Sequence, residues 1–116
     1  MVPLKTGIEL VIKGEPIAMQ RPRLGRVHAY NPQAELKKQT QWEIKSQWPY
    51  PVSLKPLFVL FKFFLTRDNK DIDNIIKFYL DAMQGIVFKN DLQVKTIVAL
   101  KVKSTRGETT IMVKEM

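Results

Sequence analysis

Hydrophobic and polar positions alternate near the start of the chain, with Ile8, Leu10 and Ile12 set between Glu9, Val11 and Lys13. A period of two is that of a half-buried strand, here roughly Leu4 to Lys13. From Gly14 to Pro32 no period is visible, and Pro16, Pro22 and Gly25 interrupt any element. A stretch this long without structure of its own is usually functional or disordered. Asn31-Pro32 predicts a helix start, with Asn as N-cap, Pro at the first helical position and Glu35 in the first turn. That helix runs to about Gln47, before Pro49. Its thin apolar stripe of Leu36, Ile44 and Trp48 predicts a surface position.

Leu57 to Leu65 is a dense apolar and aromatic run between Pro56 and Thr66-Arg67-Asp68-Asn69-Lys70. Its length and flanks favour a buried strand. Ile72, Ile75, Ile76, Tyr79, Leu80 and Met83 then recur at helical spacing and form a full apolar face, with Gly85 as a stop. Val94, Thr96, Val98, Leu100 and Val102 alternate with Lys95, Lys101 and Lys103, giving a third strand. Ser104 to Gly107 reads as a turn and Thr109 to Lys114 as a fourth strand, so the last two strands are expected to form a C-terminal β-hairpin. The order β-α-β-α-β-β predicts an α/β (α+β) domain spanning residues 1–116, with one mixed sheet and two main helices.

Composition narrows what such a domain does. The formal net charge is +8 over 116 residues, and a basic protein usually seeks a polyanion. Cysteine is absent and His28 is the sole histidine. That excludes disulfides, thiolate zinc sites, a cysteine nucleophile and a histidine-rich metal centre, and it suits a reducing cytoplasm. No signal-peptide pattern opens the chain. The apolar run around Leu57 to Phe61, cut by Lys62, is too short to span a bilayer, so no membrane partner is expected.

Against this basic background stand Asp71 and Asp73, in Asp71-Ile72-Asp73-Asn74-Ile75-Ile76-Lys77, and Asp91, in Asn90-Asp91-Leu92-Gln93-Val94. A tight acidic cluster repels a polyanion unless a divalent cation lies between them, and carboxylates are the hard oxygen donors that Mg²⁺ takes. Two residues apart within a helix, Asp71 and Asp73 point to opposite sides. With Asp71 at the cap, both can turn toward one point beyond the helix end. Asp91, just before the third strand, is expected to approach them. Each residue also has a plain reading: Asp71 as a helix cap, Asp73 with Lys77 as an i, i+4 ion pair, and Asp91 as turn chemistry. Asp73 and Lys77 share the face opposite the isoleucines. From there Lys77 can neutralise charge on a phosphate, and Asn74 can hold a ligand carboxylate by a hydrogen bond.

The run Asp71-x-Asp73-Asn74-x-x-Lys77, followed by Leu80-Asp81-Ala82 and then Asn90-Asp91-x-Gln93-Val94, resembles the signature of the RusA family of Holliday junction resolvases. The match spans roughly Phe58 to Val102. Pro16, Arg21, Pro22 and Arg23 more loosely resemble members from phages and prophages. The resemblance implies that Asp71, Asp73 and Asp91 are catalytic carboxylates binding Mg²⁺, with Mn²⁺ as a substitute, and that Lys77 is the catalytic lysine. It also implies a homodimer acting on four-way junctions in DNA recombination and repair. Asn90 departs from the first Asp of the family's Asp-Asp pair, which leaves the site with one less negative charge; its carbonyl oxygen can still coordinate, and it is a candidate to support the ligands.

Arg21, Arg23 and Arg26 read as a phosphate-gripping arm or as a solvated basic loop. Arg67 and Lys70 are further candidates for DNA contact, and His28 reads as a polar loop residue. Trp42, Trp48, Phe58, Phe61, Phe63 and Phe64 read as packing residues. Two other functions remain open: a non-catalytic nucleic-acid-binding module, for which the element order and the carboxylates are unsuited, and a nuclease of the same chemistry acting on flaps or forks.

Overall fold

The alternation and helical periods translate into strands β1 (Ile8–Lys13), β2 (Leu57–Leu65), β3 (Val94–Lys103) and β4 (Glu108–Glu115), and helices α1 (Ala34–Gln47) and α2 (Ile72–Met83). They are seen in a computed structural model that describes residues 7–20 and 33–116. The expected cap at Asn31-Pro32 and the start of the first strand before Gly7 lie outside the described residues; the residue preceding α1 is Gln33.

The strands form one mixed sheet in the order β1-β4-β2-β3. β2 and β3 are parallel neighbours, while β4 runs antiparallel to both β1 and β2. The expected C-terminal hairpin is therefore wrong. β3 and β4 are joined by a short turn but are separated by β2, and the turn crosses over the end of β2, where the Ser104 amide donates to the Leu65 carbonyl at 2.8 Å. The two-residue period that marked both strands says nothing about which strand lies beside which.

β1, β2 and β3 thus point the same way. The β1-α1-β2 and β2-α2-β3 crossovers advance in the same direction across the sheet, and the right-handed rule puts both helices on one face. Burial agrees. Leu57, Val59, Phe61, Phe63 and Leu65 of β2 are buried against Ile75, Phe78, Tyr79, Ala82 and Met83 of α2, with Thr40 and Ile44 of α1 beside them. Phe63 stacks on Phe61 at 5.3 Å and on Tyr79 at 5.8 Å between ring centroids. Each such aromatic contributes about 1.5–3 kcal/mol by burial.

The opposite face has no helix over it among the described residues. Phe58 and Phe64 lie there half-buried, so they are not core as expected, and the Val98, Leu100 and Val102 row of β3 is exposed. Trp48 packs in the core, but Trp42 does not. The two sheet edges differ. On β1, the Gln47 side-chain amide bonds both the Val11 N–H and the Val11 carbonyl at 2.8 Å each, standing in for a further strand. β3 forms the other edge.

At the carboxyl ends of the parallel strands, three loops are tied together. The Glu15 carboxylate accepts from the Thr66 amide and hydroxyl, and the Gly14 amide donates to the Gly107 carbonyl. A Cβ at Gly107 would fall 2.5 Å from Glu15 Cα, so only glycine fits that crossing.

Candidate active site

Asp71 is the N-cap residue of α2, with extended backbone (ψ 132°), and its side chain makes no capping hydrogen bond. The plain reading of Asp71 as a cap thus fails. Asp73 lies two residues on, and Lys77 one turn further. All three are exposed. Among the described residues Asp73 and Lys77 form no ion pair, and neither carboxylate has a side-chain partner. This end of α2 follows directly from β2, so the pair sits at the carboxyl ends of the parallel strands, where open α/β sheets place ligands.

The segment Pro16–Gln20 straps across the same place. The Met19 amide donates to the Asn74 carbonyl at 2.9 Å, the Ile17 amide to the Tyr79 hydroxyl at 3.1 Å, and the Lys70 ammonium to the Pro16 carbonyl at 2.7 Å. Lys70 thus anchors the strap with one of its three ammonium donors, and Arg67 nearby is exposed. The Gln33 side chain bonds the Ala18 carbonyl and the Gln20 amide, closing the strap's ends beside α1. Arg21, Arg23, Arg26 and His28 lie outside the described residues, but the chain leaves at Gln20 and returns at Gln33, close to the first turn of α2. Burial pushes the Tyr79 hydroxyl above the usual tyrosine pKa, opposed by the Thr109 hydroxyl and the Ile17 amide.

Asp91 is elsewhere. It opens a 3-10 turn (Asp91–Gln93) at the beginning of β3, where Val94 pairs with Leu57. Asp71 and Asp73 sit beyond the other end of β2. The intervening helix has 12 residues, which at 1.5 Å each separates the two sets by about 18 Å. The expectation that Asp91 approaches Asp71 and Asp73 within one chain is not met: among the described residues no three such side chains gather as a metal would need. The linker is short, as read, but a parallel crossover must return to the opposite end of the sheet.

Asn90 has a structural role at this turn. Its Oδ1 accepts from the Leu92 amide at 2.9 Å, capping the turn. Asp would cap equally well, so Asn90 leaves this role unchanged. The residue that sequence reasoning missed is Gln93. Its Oε1 accepts from the Lys89 and Asn90 amides at 2.9 and 2.8 Å, and its Nε2 donates to the Ser53 and Lys55 carbonyls at 2.8 and 3.0 Å. The amide's bonding capacity is filled, and the turn presenting Asp91 is locked to the loop before β2. The signal was there: Asn90-x-x-Gln93 is a capping box.

The model of the family described as Endodeoxyribonuclease RusA matches residues 13–114. The chain belongs to the RusA family. Membership makes it a nuclease of the Holliday-junction-resolving type. No curated protein matches it. Among the described residues no helix is long and apolar enough to cross a membrane.

Proposed function

We propose that this RusA-family chain is a Mg²⁺-dependent, structure-selective endodeoxyribonuclease that resolves four-way junctions by paired nicks, serving recombination and repair in the cytoplasm. The observation that carries the reading is the pair Asp71 and Asp73: two exposed carboxylates without side-chain partners among the described residues, set at one helix end with Lys77 one turn away, in a chain of net charge +8. A structural role would have used them as caps or ion pairs.

The donor set fits Mg²⁺, which binds through one or two carboxylates and keeps several waters. When bound there, Mg²⁺ supplies an activated water and neutralises charge on the scissile phosphate. Asp71 and Asp73 hold it. Lys77, on the exposed side of the same turn, offsets charge developing on the phosphoryl oxygens. Arg67, with Arg21, Arg23 and Arg26 of the segment rooted beside α2, holds the DNA backbone.

Asp91 enters through a second copy. Ligand oxygens on one Mg²⁺ lie within about 4 Å of each other, against about 18 Å of helix within the chain. A two-fold partner laid antiparallel brings its Asp91 end to this copy's Asp71 end, and the reciprocal contact follows from symmetry. The same dimer supplies two sites for a junction that needs two nicks. The sheet face that no described helix covers, with Val98, Leu100 and Val102 exposed, offers apolar surface for assembly.

The test is cleavage of four-way, forked and linear DNA across a Mg²⁺ titration. Junction-selective, metal-dependent nicking supports the reading. Cleavage of forks and flaps without junction preference replaces the substrate, and metal-saturated binding without any cleavage reduces the protein to a binding module.

A further inference from the structure

The outer face of α1 carries a feature that the acidic site does not use. Trp42 is 70% exposed, an unusual place for the largest apolar side chain. Lys38 and Lys45 stand one turn before and after it, both exposed, on the same helix face. Trp42 borders an open groove of about 400 Å³ whose other wall is Gln84, Gly85 and Ile86, just past the end of α2. The acids nearby do not cancel this patch. Asp81 is paired with Lys37 at 2.7 Å, and Glu43 has Oε2 buried. Glu35 reaches Lys38 only at 4.0 Å, with both side chains in solvent.

One exposed ring between two lysines is poor in apolar area for a protein partner, since a stable interface needs a contiguous apolar centre. It suits a nucleotide, whose base stacks on the ring while its flanking phosphates meet the ammonium groups. We infer that Lys38, Trp42 and Lys45 form a second DNA-binding surface, on which Trp42 stacks an unpaired base of branched DNA. The inference rests on the reading that this chain acts on DNA. It adds a contact that depends on base exposure and not on sequence, because every base offers a π face. A surface of this kind favours places where strands separate, which a branch point provides and a linear duplex does not.

Fluorescence tests this directly. The chain has two tryptophans, and Trp48 is 7% exposed, so the solvent-exposed emission belongs to Trp42. The full-length protein is titrated in EDTA with a short oligo-dT and with a four-way junction. Both are expected to quench that emission. Trp42→Ala is expected to remove the quench and weaken binding by about tenfold, and Trp42→Phe to weaken it less. Wild-type binding to the junction with no quench, or with affinity unchanged in Trp42→Ala, overturns this inference and leaves the nuclease reading standing. No DNA binding by the wild type overturns both. Conversion of a dimer to a monomer by Trp42→Ala, seen by light scattering, makes the face an interface between copies and also overturns the inference.

Discussion

Mixing two inactive variants, Asp73→Asn and Asp91→Asn, is expected to restore cleavage. The reasoning is geometric. Asp73 follows the N-cap of a helix 12 residues long, and Asp91 lies past its far end, about 18 Å away. One Mg²⁺ cannot span that, so each site draws Asp71 and Asp73 from one copy and Asp91 from the other. Each variant alone has two broken sites. In a mixed dimer the two lesions fall into the same site, leaving the second intact. Random exchange makes about half the dimers mixed, each with one working site of two, so nicking recovers to about a quarter of the wild-type level. The products should be single nicks, since paired resolution needs both sites. The assay is nicking of a labelled four-way junction after the two variants are mixed under mild denaturant and returned to buffer. A mixture as inactive as its parents would refute the shared site.

Three further outcomes follow from particular side chains. Gln93→Ala removes four hydrogen bonds and should cost about 1–3 kcal/mol, lowering Tm by about 4–12 °C; Gln93→Glu, which turns a carboxylate toward two carbonyls, should raise the Mg²⁺ needed for half-maximal rate while junction binding holds. Lys77→Ala should lower the rate at saturating DNA more than it weakens binding, and a loss confined to affinity would reassign Lys77 to ordinary phosphate contact. The raised Tyr79 pKa means the unfolded chain loses this proton before the folded one, so its stabilising contribution holds below the ordinary value of 10.0 and declines above it as pH rises through the folded pKa; urea midpoints should fall across that range more steeply in wild type than in Tyr79→Phe.

Much of this was legible in the chain because single elements are local. β2 matched its apolar run from Leu57 to Leu65, and α2 matched the isoleucine period with its stop at Gly85. Asp71 at the cap and Asp73 with Lys77 on the exposed side came from the same periodicity. What failed was long-range. The hairpin failed because strand pairing depends on which strand wins the place beside β2, and β4 took it. The meeting of Asp91 with Asp71 failed because a parallel crossover carries the chain back to the other end of the sheet. Trp42 failed because an aromatic on a helix is read as packing, yet α1 buries only a narrow face around Thr40 and Ile44. Gln93 was legible as a capping box and was passed over in favour of the carboxylate beside it.

The central claim is that Asp71 and Asp73 hold the metal that cuts DNA, and the most direct measurement sets wild type beside Asp73→Asn on one labelled four-way junction, with Mg²⁺ and with EDTA. Wild type should cut with Mg²⁺ and not with EDTA. Asp73→Asn, a change at an exposed side chain, should bind the junction at least as tightly and cut it more than about a hundredfold more slowly. A folded Asp73→Asn protein that cuts at the wild-type rate would contradict the account.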